Sequence, residues 1–327
     1  MTLKMNRKWI LGLAAGAAVL AAAMASLAWA DRPLRPDAFA PLAPIPAQLP
    51  EAKPPQGLSF TVFETSRSAG TLEALIVGGG SWLTLRQPVH MAVLVRHPAG
   101  DLLFDTGLGR NVAQQFAVNS WLDRQFFGFK DVNPVVEQLA RHGLPARSIS
   151  LVVPSHMHWD HISALPDFPE AQVWVAKAER EQAAQGAAPA FLASQFAGVQ
   201  NWRDLTFNGP AYLGFPASRD VHGDGSVVLV PLSGHTAGQV GMFLNLPSGQ
   251  RYFFTADVTW TLDGFQRPAD RSWLARAMVH LDREERANQA VIVQIHRLMK
   301  AHPALKIIPA HDERVAKALP RFPAFQK

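Results

Sequence analysis

Ser155-His156-Met157-His158-Trp159-Asp160-His161 follows an apolar run, Ile149 to Val153, that reads as a buried strand ending at Pro154. In an extended segment residues two apart project to the same side, so His156 and His158 can converge on one ion. Asp160 and His161 lie just beyond them. Such a density of polar groups beside a buried strand is costly unless a cation compensates it. The same chemistry returns after further expected strands: His235 after Val227 to Leu232, Asp257 at the end of Tyr252 to Ala256, and His311 after Lys306 to Pro309. Each candidate ligand stands at the C-terminal end of a strand, where loops gather at the edge of a sheet. The pattern points to a metal site.

Composition narrows what can hold the metal. The 327 residues contain no cysteine, which excludes disulfides, thiolate-ligated zinc or iron–sulfur clusters and a thiol nucleophile. Ligands must be His, Asp or Glu. With 48% hydrophobic and 17% charged residues the chain can bury a substantial core and does not read as disordered. The formal charge of +5 invites a nucleic-acid reading, but Lys4, Arg7 and Lys8 all precede residue 31. The remainder carries 28 basic against 26 acidic groups, interspersed and without a basic stripe, so no nucleic-acid partner is expected.

Residues 1–30 combine a basic start, an apolar run from Trp9 to about Leu27 and Ala28-Trp29-Ala30 before Asp31, the layout of a secretory signal peptide. Cleavage after Ala30 is expected, giving a periplasmic or secreted protein with no stable membrane insertion; an uncleaved anchor is the alternative. Residues 31–57 hold Pro33, Pro36, Pro41, Pro44, Pro46, Pro50, Pro54 and Pro55 and read as a linker or a strap over the domain surface. Residues 58–327 form one α/β domain. Leu58 to Glu64 and Leu72 to Val77 read as strands, and Met91 to Arg96 with Leu102 to Phe104 as a hairpin around Pro98-Ala99-Gly100. Val135 to His142, 176–185 and Asp282 to His302 read as helices.

The hairpin leads into Asp105-Thr106-Gly107. That turn, the His156 to His161 cluster, Gly234-His235-Thr236-Ala237-Gly238, Asp257 and His311 together resemble the metallo-β-lactamase superfamily of hydrolases. The resemblance spans nearly all of Leu58 to His311. It implies a four-layer αβ/βα sandwich with two facing mixed β-sheets and a dinuclear metal site in the groove at one edge. It makes His156, His158 and His235 the ligands of one ion, Asp160, His161 and His311 those of the other, and Asp257 the bridge. Asp105 resembles the residue that orients the metal-bearing loop without binding metal. Nitrogen and carboxylate donors suit two zinc ions, with iron or manganese an option at one position. A water shared by such ions becomes hydroxide at neutral pH, and Asp160 is placed to orient it or carry its proton.

Within the superfamily the ligand set is shared by acyl-homoserine lactonases, hydroxyacylglutathione hydrolases and secreted organophosphate or aryl-ester hydrolases, and the layout looks most like the lactonase group. The implied reaction is cleavage of a lactone or ester in a small-molecule substrate. Thioester, phosphotriester and β-lactam hydrolysis are the alternatives on the same site, and an iron-dependent redox enzyme of the same fold is the alternative outside hydrolysis. One departure stands out: the lactonases carry a tyrosine three residues after the bridging Asp, and this chain has Trp260. Its ring can wall a pocket and its N–H can donate one hydrogen bond. Trp159 and Trp82 are further candidates for an apolar wall. Phe191, Phe196, Trp202, Phe207, Tyr212 and Phe215 lie between Gly186 and Asp220, either as a lid or, for most of them, as anchors of an insertion.

Overall fold

Alternation along the strand Val89–Arg96 explains the layering. Val89, Met91, Val93 and Val95 join one buried cluster and Ala92 and Leu94 another, so the strand is covered on both faces. The computed structural model describes residues 7–39 and 41–327. The basic start of the expected leader at Lys4 and one linker residue, Ala40, lie outside the described residues.

The strands are β1 (Ser59–Ser68), β2 (Thr71–Leu72), β3 (Leu85–Arg86), β4 (Val89–Arg96), β5 (Leu102–Phe104), β6 (Phe129–Lys130) and β7 (Leu151–Val153). They continue as β8 (Gln172–Val175), β9 (Trp202–Asp204), β10 (Arg219–Asp220), β11 (Val227–Pro231), β12 (Val240–Asn245), β13 (Arg251–Phe254) and β14 (Lys306–Ile308). One sheet runs β6-β1-β4-β5-β7-β8-β9 and a second β10-β11-β12-β13-β14. Both are mixed: β5, β7, β8 and β9 pair in parallel in the first, as do β13 and β14 in the second. Phe60, Val93 and Phe104 from the first sheet share a core with Leu229, Met242 and Phe254 from the second. On the outer faces, the helix Val135–Arg141 packs on the first sheet and Glu285–Ala301 on the second. The result is a four-layer αβ/βα sandwich.

Two readings from the sequence need correction. Leu72 to Val77 is not a strand: only Thr71–Leu72 pairs, and Glu73–Ile76 turns into a short helix. Glu73, Ala74 and Leu75 are good helix formers, and the turn carries the Glu73 carboxylate to the buried Arg86 guanidinium at 2.9 Å. The strand Val240–Asn245, in the middle of the second sheet, has no counterpart in the sequence reading. Buried along its whole length, it lacks the alternation that marks a half-exposed strand.

Among the described residues of 32–57 there is no strand and one 3₁₀ turn, Pro36–Phe39. The segment lies along the domain: Leu34, Ile45 and Leu49 pack on the second sheet's outer core. The carbonyls of Ala43, Pro46 and Pro50 accept hydrogen bonds from Gln294, His302 and Arg251. Before it, Arg7–Ala30 is a single apolar helix. Its Leu13–Ala30 stretch is long and apolar enough to cross a membrane and is not buried against the domain.

Candidate metal centre

The first sheet delivers the His156–His161 loop. It leaves the C-terminal end of β7, and Trp159–Ile162 closes it as a single helical turn. Asp105, just past β5, fastens that loop. Its carboxylate accepts the Ser155 N–H at 2.6 Å, the Ser155 hydroxyl at 3.0 Å and lies 2.9 Å from His161 Nδ1. Asp105 adopts φ 59°, a left-handed conformation uncommon for a non-glycine residue, so the turn is held by its contacts. Asp105 thus stands behind the loop, on the Nδ1 side of His161.

The second sheet delivers the other donors. His235 follows β11, Asp257 follows β13 and His311 follows β14. At Gly234 the chain turns with φ 148° against the start of the long helix, where a Cβ would come within 2.4 Å of the Asn288 nitrogen. Only glycine lets His235 approach there. Behind His235, Asp282 lies 2.7 Å from Nδ1, and the fully buried Arg271 binds Asp282 at 2.9 Å and also the Asp257 carbonyl. His311 Nδ1 donates to the Val89 carbonyl at 2.8 Å, which leaves Nε2 facing inward. Glu179 ties the two halves by accepting the N–H groups of Met157 and Gly238, each at 2.8 Å.

These loops bring all the expected metal positions to one edge. Among the described residues, three groups have candidate ligand atoms within 4.8 Å of one another: His156, His158 and His235; His156, His161 and Asp257; His90, Asp160 and His311. His235 Nε2 stands 3.0 Å from His158 Nδ1, and Asp257 Oδ1 lies 3.3 Å from His161 Nε2 and 3.0 Å from His311 Nε2. The donor set fits a pair of cations on a direct test. His156 Nε2, His161 Nε2 and Asp257 Oδ1 are buried and, although the last two lie near one another, none is aligned to make a hydrogen bond; each such orphan costs about 1–3 kcal/mol unless something fills it.

Electrostatics agree with that fit. Burial, reinforced by neighbouring imidazoles, holds His156 and His158 well below their ordinary pKa, so both are neutral with lone pairs available. Burial alone would raise Asp257, but His311 and His161 draw it well below the usual carboxylate range. Burial opposes protonation of His161 too, yet Asp105, Asp160 and Asp257 outweigh it and raise its pKa. Carboxylates and neutral imidazoles packed this closely form a site with strong affinity for positive charge.

Around the centre opens a cavity of about 450 Å³. His158, Asp160, Asp257 and His311 form its polar floor, and Leu75, Ile76, Phe126, Phe127, Met278 and Leu281 contribute apolar wall. Trp260 is half-buried on this wall, with its indole N–H donating to Asp257 Oδ2 at 3.0 Å and the Arg271 guanidinium over its ring. Trp159 touches the cavity but is buried, its ring 4.2 Å from that of Phe116. Trp82 is 42% exposed and is not among the lining residues, so it forms no wall here. In the 186–220 segment, Phe191 and Leu213 sit in the cores, Phe196 and Trp202 pack on them, and only Ala187 to Ala190 reach the cavity. Those aromatics anchor the segment.

Sequence reasoning missed His90, Asp282 and Arg271. His90 was one polar residue in an apolar strand, and the other two meet the site only through contacts distant in sequence.

Comparison with known proteins follows this geometry. The family described as the metallo-beta-lactamase superfamily matches residues 86–281. A probable metallo-hydrolase of Mycobacterium tuberculosis is 28% identical over 233 residues, 67% of this chain and 73% of that protein. An N-acyl homoserine lactonase of Agrobacterium fabrum is 30% identical over 195 residues, 56% of this chain and 69% of the lactonase. A solved N-acyl homoserine lactone hydrolase, with N-hexanoyl-L-homoserine bound at its catalytic metal centre, superposes with a TM-score of 0.64. Its sequence identity is 17%, over 82% of this chain and 98% of that one, a likeness of fold.

Proposed function

This chain belongs to the metallo-beta-lactamase superfamily, whose members of this type are metal-dependent hydrolases, and we propose that it is an exported lactonase acting on acylated lactones or related esters. The observation that carries the reading is the union of a donor set built for two cations with an apolar cavity opening directly over it. His156, His158 and His235 would hold one ion, and Asp160, His161 and His311 the other, with Asp257 between them; zinc suits the donors. Bound there, two such ions would supply a hydroxide nucleophile at neutral pH and Lewis acidity toward the substrate carbonyl.

The protein's own residues do the remainder. The walls of Leu75, Ile76, Phe126, Phe127 and Met278 receive an acyl chain and exclude water from it. Asp160, partly open to the cavity, takes the proton released on attack and returns it to the alkoxide as the ring opens. Trp260 packs against the acyl group while its N–H steadies Asp257. The likeness to enzymes named N-acyl homoserine lactonases supports the choice of lactones over other esters.

A panel of acyl lactones, aryl esters, thioesters, phosphotriesters and β-lactams, assayed with metal-reconstituted enzyme, tests the reading. Lactones should give the highest kcat/KM, rising with acyl length until the cavity is filled, and chelation should abolish turnover. Preference for a thioester or phosphotriester would overturn the lactonase assignment. Export is tested by N-terminal sequencing: the mature chain should begin at Asp31, and recovery only from membranes with residues 1–30 intact would identify an anchor instead.

A further inference from the structure

His90 stands at the N-terminal end of β4, which runs antiparallel to β5, so it reaches the same sheet edge as the metal loops. Pleating puts it on the outer face with Ala92 and Leu94, where its ring meets Trp159 at 5.8 Å and His311 at 5.4 Å. Ser66 Oγ lies 2.6 Å from Nδ1 and fixes the ring by its far nitrogen. His90 lines the cavity, and its Nε2 makes no hydrogen bond among the described residues; the carboxylate nearest to it is Asp160 Oδ2, 3.7 Å away. The same carboxylate oxygen is 3.4 Å from His311 Nε2 and 3.7 Å from His161 Nε2.

We propose that His90 is an additional ligand of the second metal position, donating through Nε2 beside Asp160, His161, His311 and Asp257. Donor atoms bonded to one ion at about 2.0–2.2 Å stand roughly 3–4 Å apart, as these do around Asp160 Oδ2. A buried core histidine would satisfy both nitrogens. This one engages only Nδ1, through the Ser66 hydroxyl; in the tautomer whose Nδ1–H donates to that oxygen, Nε2 presents its lone pair to the site, the arrangement typical of metal-bound histidine. The consequence is selectivity. With this extra imidazole and an incoming water or substrate oxygen, the second position approaches six-coordination, which suits manganese or iron better than tetrahedral zinc.

The inference rests on the dinuclear reading above, and the experiment separates the two. Metal-free wild type, His90→Ala, His90→Gln and Ser66→Ala are titrated with Co²⁺, Mn²⁺ and Zn²⁺, with bound metal counted by elemental analysis and the Co²⁺ visible bands recorded. Wild type should take two ions. His90→Ala should keep the first at wild-type affinity, which also shows that it is folded, and lose the second about 10–100-fold more readily. Its second-site Co²⁺ bands should intensify as coordination number falls, and Mn²⁺ should suffer more than Zn²⁺. Ser66→Ala should shift affinity in the same direction by less, and it carries the comparison if His90→Ala does not fold. Unchanged affinity and spectrum in His90→Ala, or full restoration by His90→Gln, would overturn the ligand role. Failure of wild type to bind two ions would overturn the dinuclear reading itself.

Discussion

Asp257 meets demands on both oxygens: Oδ1 faces His161 and His311, while Oδ2 accepts the Trp260 indole N–H. A carboxylate between two dications offsets part of their mutual repulsion. Asp257→Ala should therefore lower the bound metal toward one ion per chain or abolish turnover, as elemental analysis with parallel kinetics will show. Trp260 is a separable case, because ring and N–H do different work. Trp260→Phe keeps the apolar wall but removes a hydrogen bond to a charged acceptor, about 1.5–3 kcal/mol, so metal should leave roughly tenfold or more faster under chelator challenge with KM little changed. Trp260→Ala should also raise KM for long-chain or bulky substrates. Equal KM in the two variants would make Trp260 a packing residue only. The ligand candidates were legible in the sequence because each followed a strand. His90 was not, since a single histidine in Val89–Arg96 has no spacing to separate a ligand from a core residue. Arg271 and Asp282 act on His235 from a segment whose sequence has no metal pattern at all.

The short strand β3 carries a bracing element of unusual density. Arg86 is fully buried and binds Glu73 at 2.9 Å, Asp263 at 3.1 Å, Asp312 at 3.4 Å and Glu313 at 2.6 Å. It joins the Glu73–Ile76 turn, which bears the cavity residues Leu75 and Ile76, to the segment immediately after His311. Removing the cation leaves several carboxylates facing one another out of water, so Arg86→Leu should destabilise by about 3–5 kcal/mol, read as a lower urea midpoint at unchanged slope. A loss under 1 kcal/mol would mean that water enters and screens the cluster. This hub also explains the misread segment Leu72 to Val77. Its residues carry no local signal for an ion pair formed with partners such as Asp312, and that pairing decides the conformation. Elements with strong local periodicity, such as Val135–Arg141 and Glu285–Ala301, came through the sequence reading with only their ends shifted.

Across the whole molecule, the site lies where the two sheets meet, and neither sheet supplies all of it. Ions that bind only the folded chain stabilise it by mass action, about 4 kcal/mol at free metal a thousandfold above Kd. Chelation should accordingly lower Tm as well as activity, and readdition of metal should recover both; a Tm indifferent to chelator would place the ions outside the folding equilibrium. A reductant that does not bind metal, such as a phosphine, should leave Tm unchanged, because the chain has no cysteine. The sandwich was legible because the motifs resemble the metallo-β-lactamase superfamily, which implies that fold; the strands read from the sequence did not by themselves specify two facing sheets. The split of donors between β7 on one side and β11, β13 and β14 on the other has a consequence for biogenesis. A half-folded chain holds at most an incomplete cradle, so full metal affinity should appear only once the halves dock. If residues 1–30 direct export, as proposed above, the metal pool on the far side of the membrane then selects the ions the enzyme works with.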